Sequence, residues 1–244
     1  MIKNYPKMVM RHKNLLIGIM LALTGFGATA DESLGLIPFK AEFVAFRFGD
    51  DIGHANLELK KLDDSLFSLT YSSKVSKFFL SDKRYEHSIF STESGEIKPK
   101  EYHYKRSGTG PDKNLSVEFN QQSNQIVIDN GTTIPWQDEF DNQLFRIDIP
   151  RQLAKGNESM EYDFVNYRGE IRSYKIEFVA KEQLDLPYGM LDSVKLKIIR
   201  ESKKRETFAW FSPSLDFALV RLQQSKDGDE QGDIRLKSFV KPSS

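Results

Sequence analysis

Hydrophobic and polar side chains alternate with a period of two along most of the chain. The segments Phe43–Phe48, Ala55–Lys60 and Leu66–Ser72 show this pattern first, and turn-forming residues separate them. A period of two is typical of a half-buried β-strand, whose successive side chains point to opposite faces of a sheet. The pattern recurs at Arg84–Ser91, Lys100–Lys105, Leu115–Phe119, Gln125–Asp129, Thr132–Ile134, Glu161–Asn166, Ser173–Ala180, Val194–Ile199, Glu206–Phe211, Phe217–Leu222 and Ile234–Val240. The pattern predicts an all-β, mainly antiparallel fold, in which a curved sheet is rolled into a partly open barrel or β-roll.

One segment departs from this pattern. Asp141 is a favourable helix N-cap residue, and a partial apolar stripe follows it and ends before Gly156. Pro150 lies inside the segment and limits the length of a regular helix. We expect one short or kinked helix near residues 141–154, which plugs an open end of the barrel or crosses the sheet.

The first thirty residues have the layout of a secretory signal peptide. Four basic side chains and no acidic one accompany an apolar stretch, Leu15–Leu23, and Ala28 and Ala30 fit the A-x-A cleavage rule. We expect cleavage after Ala30 and export to the periplasm, with release into the medium left open. The mature chain, residues 31–244, is then a single β-rich domain. It contains no later stretch of the length of a transmembrane helix, so we expect no membrane anchor after cleavage.

Composition excludes several classes of protein. The chain has no cysteine, so disulfide frameworks, thiolate zinc sites and cysteine nucleophiles are absent. Its 35 basic and 35 acidic side chains balance, whereas nucleic-acid-binding domains normally have a basic excess, so we expect no nucleic-acid partner.

Catalytic and metal-binding motifs are equally scarce. The sequence has no G-x-S-x-G elbow and no H-E-x-x-H pair, so we name no catalytic residue, no metal site and no cofactor. The histidines of the mature chain are His54, His87 and His103, and nothing in their spacing distinguishes one of them. A hydrolase or lyase acting on cell-wall or polysaccharide substrate stays open as an alternative. It requires a cleft with converging carboxylates or a His/Asp pair of perturbed pKa.

Two charged segments have a simple structural interpretation and a functional one. Asp227–Asp233 resembles the start of a calcium loop, but its fifth position is Gln231 and its twelfth is Ser238, so a hairpin turn is favoured. The basic run Lys203–Arg205 lies between two predicted strands and is interpreted as a turn. Its functional alternative is contact with anionic lipid headgroups.

Aromatic side chains are concentrated in the first half of the mature chain, where Phe43, Phe46, Phe48, Phe67, Tyr71, Phe78, Phe79, Tyr85 and Phe90 occur. A filled β core needs such residues, and a hollow one would use them to hold a lipid. The filled core is the default interpretation. If the protein binds an apolar ligand, our candidate contacts are Phe67, Tyr71, Tyr102, Tyr188 and Trp210.

Several scattered residues form an order that is similar to a known family. They are Gly53, Ser88–Phe90, Gly95, Pro99, Tyr102, Pro187–Gly189, Trp210–Pro213 and Leu219–Arg221. This order resembles the DUF3108 family of exported bacterial proteins over roughly residues 38–240. Ala218 and Leu219 stand where a proline often precedes the Val-Arg pair of the family. The resemblance implies a β-rich domain of the Gram-negative envelope and assigns no activity and no catalytic residue.

The leading hypothesis is a non-enzymatic binding or envelope-maintenance module. Its partner would be an apolar or amphiphilic envelope molecule, such as a lipid or glycolipid. A third hypothesis is a scaffold that docks other envelope proteins through an unpaired strand edge.

Overall fold

A computed structural model describes residues 35–77, 79–200 and 204–242, so the predicted signal peptide and Lys203 lie outside the described residues. The described chain forms strands and one helix, α1. The strands are β1 (Phe39–Arg47), β2 (Asp50–Lys61), β3 (Leu66–Lys77), β4 (Leu80–Ser91), β5 (Lys98–Gly108), β6 (Lys113–Asn120), β7 (Gln125–Ile128), β8 (Thr133–Pro135), β9 (Phe140–Asp141), β10 (Ser159–Val165), β11 (Ile171–Leu186), β12 (Gly189–Ile199), β13 (Arg205–Ser212), β14 (Ala218–Lys226) and β15 (Asp229–Val240), and α1 spans Phe145–Ala154.

All fifteen strands belong to one sheet, in the order β8-β7-β6-β5-β4-β3-β2-β1-β15-β14-β13-β12-β11-β10-β9. Neighbouring strands are antiparallel except for the short β9–β10 pair. The first strand, β1, pairs with both β2 and β15 and therefore lies at the centre of the sheet. The two edge strands, β8 and β9, follow each other in the chain.

Side chains, instead of a hydrogen-bonded ladder, bring the two ends of the sheet together. The rings of Tyr104 on β5 and Tyr167 after β10 lie 5.2 Å apart. Gly169, in the β10–β11 turn, packs so closely that a Cβ there would lie 3.1 Å from Cδ1 of Ile128 on β7. The predicted partly open barrel is therefore confirmed. Where strand pairing stops, β7 and the β10–β11 turn pack against each other through side chains.

The alternation of side chains divides each strand between an inner and an outer face. On β1, Ala41, Phe43 and Ala45 are buried, whereas Lys40 is exposed. Gly53 on β2 marks a close approach between strands. Its φ is +143°, and a Cβ there would lie 2.1 Å from the carbonyl oxygen of Lys74 on β3, so no other residue fits without a backbone shift.

Helix α1 fills the interior of the roll. Leu144, which precedes it, and Ile147 pack with the buried residues of β1–β4, whereas Phe145, Ile149 and Leu153 pack against β10–β13. The prediction of one short helix is confirmed, although the helix begins four residues later than expected. No helix within the described ranges is long and apolar enough to cross a membrane.

Candidate functional site

The corner between β9 and α1 forms a buried polar cluster against the inner face of β3–β5. Oδ1 of Asp141 accepts hydrogen bonds from the backbone N–H groups of Gln143 and Leu144, at 2.9 and 3.1 Å. The side-chain amide of Gln143 donates to the carbonyl oxygen of Leu69, at 3.0 Å, and to Oγ of Ser88, at 2.8 Å. These bonds attach the start of α1 to two strands of the sheet.

Glu86 on β4 is the second carboxylate of this cluster. It accepts a hydrogen bond of 2.8 Å from the hydroxyl of Tyr102 and one of 2.6 Å from Nδ2 of Asn142. The guanidinium of Arg146 lies 3.8 Å from its other oxygen and 5.1 Å from the centre of the Tyr71 ring. Glu86 is thus held mainly by neutral donors, with one cation at the rim.

The electrostatics of the cluster favour a proton on Asp141. Complete burial raises the pKa of Asp141 to about 7, although the Ser88 hydroxyl and the backbone N–H groups of Gln143 and Leu144 favour the ionised form. Burial and the neighbouring Glu86 also raise the pKa of Tyr102. Oδ2 of Asp141 and Oε1 of Gln143 have no hydrogen-bond partner among the described residues.

A carboxyl group that titrates near neutral pH is suited to general acid–base catalysis. Catalysis also requires access, and Asp141 and Gln143 are fully buried while Glu86 is nearly so. Neither of the two surface clefts described for this molecule is lined by these residues. The geometry therefore supports a structural role, in which the cluster fixes α1 inside the roll.

The three histidines occupy the outer face of the first half of the sheet. His87 and His103 are cross-strand neighbours on β4 and β5, whereas His54 on β2 is paired with Lys74. Burial lowers the pKa of His87, and His103 lowers it further, while Nδ1 of His87 lies 2.9 Å from the hydroxyl oxygen of Thr70. Within the described residues, no group of three or more histidine, aspartate or glutamate side chains is placed to hold a metal ion.

The acidic segment Asp227–Asp233 lies at the tip of the β14–β15 hairpin, as the turn interpretation predicts, with Asp227 and Gly228 in the turn and Asp229–Asp233 at the start of β15. Asp233 is fully buried, and two arginines, Arg221 and Arg235, bind its carboxylate. The carboxylate at the seventh position of the supposed calcium loop is therefore already bound by two arginines. Lys204 and Arg205 of the basic run lie at the start of β13.

The structure places the five candidate ligand contacts in three different environments. Phe67 and Trp210 are buried in the same core cluster. Tyr102 is fully buried in the Glu86 cluster, and Tyr71 is half-buried at its rim. Tyr188 is exposed in the turn between β11 and β12. As ligand contacts these residues stay a prediction, and four of them have packing partners that account for their positions.

An open cleft of about 540 Å³ lies elsewhere, where the start of β1 meets the ends of β2 and β15. We call it the terminal cleft, because the described chain enters and leaves the sheet there. Its apolar lining comes from Pro38, Phe39, Leu59, Val240 and Pro242. Val240 is 59% exposed, and Ile37 and Leu62 add further exposed apolar surface nearby in the chain.

Charged side chains also line the terminal cleft. Lys40, Lys60 and Lys61 contribute ammonium groups, and Glu42 and Glu58 contribute carboxylates. Lys40 pairs with Glu42 at 3.0 Å, and Lys60 pairs with Glu58 at 3.1 Å, and all four side chains are substantially exposed. Exposed pairs of this kind are weak, so their charges are available to a polar ligand.

Some aromatic residues of the first half, which were interpreted as core, lie on the surface. Phe48, Phe79 and Tyr85 are exposed in the structure. Phe48 and Phe79 lie in the β1–β2 and β3–β4 turns, where the alternation pattern stops. Phe79 lies outside every alternating segment, and this signal could have identified it. Phe48 ends the alternating segment Phe43–Phe48, so no such signal distinguishes it.

A protein-family model decides the classification. The model of a protein family of unknown function, DUF3108, matches residues 40–235. The chain belongs to the DUF3108 family. No curated protein is similar enough to this chain to count as a match.

A solved structure shows the fold of this DUF3108 chain in another protein, and two others have lower TM-scores. A β-barrel-like protein of the domain of unknown function DUF1849 from Brucella abortus has a TM-score of 0.57 and 6% identity, covering 85% of this chain and 99% of its own. A candidate exported protein with a YmcC-like fold from Bacteroides fragilis has a TM-score of 0.33 and 11% identity, covering 84% and 97%. A candidate lipoprotein from Parabacteroides distasonis has a TM-score of 0.34 and 12% identity, covering 84% and 96%. The similarity to the Brucella protein identifies the fold as β-barrel-like.

Four of the residues that carry the DUF3108 resemblance lie in two largely buried clusters. Ser88 and Tyr102 belong to the Glu86 and Asp141 cluster. Trp210 and Arg221 belong to a second cluster around Asp233, where the Arg221 guanidinium lies 4.7 Å from the centre of the Trp210 ring. These four motif residues therefore have packing roles. The function of the exposed surfaces has to be inferred from their geometry.

Proposed function

We propose that this DUF3108 protein is a non-enzymatic binding module of the bacterial cell envelope and that its terminal cleft holds an amphiphilic molecule. The single observation that carries the proposal is the apolar lining of an open cleft, with Val240 more than half exposed. Ligand sites are typically concave, mostly apolar and about 300–1,000 Å³ in volume, and the terminal cleft falls in this range.

The chemistry of the lining supports a ligand with an apolar chain and a polar headgroup. Phe39, Leu59 and Val240 offer apolar contact to an acyl chain. Lys40 and Lys60 lie beside them and can turn from their glutamate partners to an anionic headgroup. The third lysine of the lining, Lys61, pairs with Asp64 at 3.3 Å, and because this pair is exposed and weak as well, its ammonium group is also available to an anionic headgroup.

The proposed location is the periplasm. The basic residues, apolar stretch and A-x-A sequence of residues 1–30 support export by a cleavable signal peptide. The test is the N-terminal sequence of the protein recovered from a periplasmic extract. We expect it to begin at Asp31, and a chain that still begins at Met1 would contradict export by cleavage.

The alternatives have less support from the geometry. A hydrolase or lyase needs accessible converging carboxylates, and the Glu86 and Asp141 carboxylates are buried. A scaffold acting by strand addition would have to use β8 or β9, which are three and two residues long, and β8 ends in Pro135. Short edges and proline are devices that prevent strand addition.

The binding proposal is tested with the exported protein and a dansyl-labelled fatty acid. We expect saturable binding, and we expect Val240→Asp to weaken it by about tenfold or more, because a carboxylate would be placed beside the acyl chain. Met190→Asp is the matched control, because Met190 is 57% exposed against 59% for Val240 but lies at the start of β12.

Native mass spectrometry of the same protein gives an independent readout. A small molecule that is retained in the native spectrum and lost on denaturation would support the proposal and reveal the class of ligand. Equal probe binding by the Val240 and Met190 variants would contradict the terminal cleft as the site. Absence of saturable binding to the wild-type protein would contradict the function itself.

A further inference from the structure

The far end of the same strands carries the most exposed apolar side chains of the described residues. Phe79 is 98% exposed in the β3–β4 turn, and Leu80, which follows it, is 62% exposed. Phe48, in the β1–β2 turn, is also 62% exposed. We call these three residues the tip residues. They lie on adjacent hairpins, because β2 pairs with β3.

Two basic side chains lie against the ring of Phe48, one of the tip residues. The guanidinium of Arg47 lies 5.5 Å from the centre of the Phe48 ring, and Nζ of Lys77 lies 5.8 Å from it. Lys77 also pairs with Asp50 at 3.0 Å, which joins the two hairpins. Phe48 has a φ of +52°, an uncommon conformation for a bulky residue, and its exposed ring gains no compensating burial within the domain.

Three further lysines lie behind Phe79 on the outer face of β3–β5. Lys74 and Lys83 are directly opposite each other on β3 and β4, and Lys105 on β5 is opposite Tyr85. All three lysines are exposed, and none forms an ion pair within the described ranges. Like charges directly opposite each other destabilise a sheet. We call these three residues the lysine face.

The lysine face is basic, whereas the mature chain as a whole has a negative net charge. The mature chain, residues 31–244, has four more acidic than basic side chains. A cluster of unpaired lysines on such a protein gives it a defined orientation towards an anionic partner. Phenylalanine and leucine are side chains that interfacial proteins bury at the boundary of headgroups and acyl chains, so the exposed tip residues beside that cluster fit a lipid surface.

We propose that the protein docks on an anionic lipid bilayer, with Phe48, Phe79 and Leu80 inserted at the headgroup level and Lys74, Lys83 and Lys105 bound to anionic phosphates. This inference rests on different residues from the proposed ligand function. The nine residues of β1 place the tip residues about 30 Å from the terminal cleft, so docking leaves the cleft facing away from the bilayer.

The experiment measures sedimentation of the exported protein with large unilamellar vesicles. We expect binding to vesicles that contain phosphatidylglycerol and at least about tenfold weaker binding to pure phosphatidylcholine vesicles, because each lysine near an anionic surface contributes attraction that salt screens. The triple variant Lys74→Gln, Lys83→Gln, Lys105→Gln should weaken the binding by about tenfold or more.

A matched charge control uses three exposed lysines that lie outside both the lysine face and the terminal cleft. The triple variant Lys155→Gln, Lys175→Gln, Lys181→Gln removes the same charge from the residue after α1 and from β11, and we expect it to retain wild-type vesicle binding. Equal losses in both triple variants would show a response to net charge alone and would overturn the docking surface. Failure of the wild-type protein to bind anionic vesicles would overturn it as well.

Insertion of the tips is tested separately from electrostatic attraction. Phe79→Trp adds a third tryptophan, at a fully exposed position, to Trp136 and Trp210, and the difference spectrum between the variant and the wild type isolates its emission, which should shift to the blue on anionic vesicles. Brominated acyl chains should then quench that emission. Emission that stays at the solvent-exposed wavelength while the protein sediments with the vesicles would overturn insertion. All these substitutions are at exposed positions, so thermal unfolding should stay within a few degrees of wild type.

Discussion

The two halves of the molecule each bury an aspartate completely, and the two aspartates are held in opposite ways. Asp233 accepts hydrogen bonds of 2.9 and 2.7 Å from Nε and Nη2 of Arg221, and of 3.0 and 2.8 Å from Arg235. Asp141 accepts two backbone N–H groups and has one oxygen without a hydrogen-bond partner in the described part of the chain. The first is compensated by cations, whereas the second has only neutral donors.

The difference teaches how each site tolerates a carboxylate. The arginines of Asp233 themselves lie on aromatic rings, Arg221 at 4.7 Å from Trp210 and Arg235 at 4.7 Å from Phe46. This arrangement pairs the carboxylate with two guanidinium groups and ties β13, β14 and β15 together. At Asp141, burial without a cation raises the pKa, so the site changes charge near neutral pH. Three predictions sharpen this contrast.

The largest expected effect comes from Asp233→Ala. The substitution removes the anion and leaves Arg221 and Arg235 beside each other with no shared acceptor. Breaking a buried ion pair by removing one partner costs about 3–5 kcal/mol, and we expect a loss of this order in the free energy of unfolding, measured by urea denaturation. Asp229→Ala, an exposed position on the same strand, is the matched control. A loss below about 1 kcal/mol would show that the two arginines do not depend on Asp233.

The sequence made the sheet predictable because alternation depends only on local order. Segments such as Leu66–Ser72 and Glu206–Phe211 lie within the strands β3 and β13 of the structure. The helix was predicted from Asp141 and the apolar stripe after it. Its start was misplaced because Asp141 belongs to β9. The Asp141 carboxylate accepts hydrogen bonds from the backbone N–H groups of Gln143 and Leu144 before the helix begins.

The buried clusters and the surfaces could not be predicted in the same way. Glu86 and Asn142 meet across 56 positions of sequence, and no local pattern marks such a contact. Phe79 was counted with the core because composition does not distinguish a strand from the turn that ends it. The terminal cleft depends on the pairing of β1 with both β2 and β15, which only the topology reveals.

A smaller effect is expected from pH, and it isolates Asp141. The folded chain binds a proton at Asp141 more tightly than the unfolded chain, because burial raises the pKa from 3.8 to about 7. The contribution to stability is therefore complete below about pH 4, declines as the pH rises, and is lost above about pH 7. We expect the free energy of unfolding of the wild-type protein, relative to Asp141→Asn, to fall by about 3–4 kcal/mol across this range, because each unit of pKa corresponds to about 1.4 kcal/mol.

The comparison with Asp141→Asn matters because other carboxylates act in the opposite direction. Hydrogen bonds and charges from Lys40 lower the pKa of Glu42, and hydrogen bonds from Trp210 and Lys195 lower that of Glu182. These groups titrate equally in both proteins and cancel in the difference. A difference that is independent of pH would mean that Asp141 does not change its charge across the range, and the contrast with Asp233 would be lost.

The smallest expected effect tests the neutral donors of the Asp141 cluster. Tyr102→Phe removes the hydroxyl that donates to Glu86 at 2.8 Å, and it leaves the ring in place. The net contribution of one such bond is about 1 kcal/mol, somewhat more where the acceptor is charged, and urea denaturation should show a loss of that size. Tyr104→Phe is the matched control, since Tyr104 is buried on the same face of β5 and its hydroxyl donates to no side chain among the described residues. Equal stability of the two variants would mean that Asn142 and Arg146 suffice to hold Glu86. The cluster would then depend on its one cation, and the contrast with Asp233 would be one of degree.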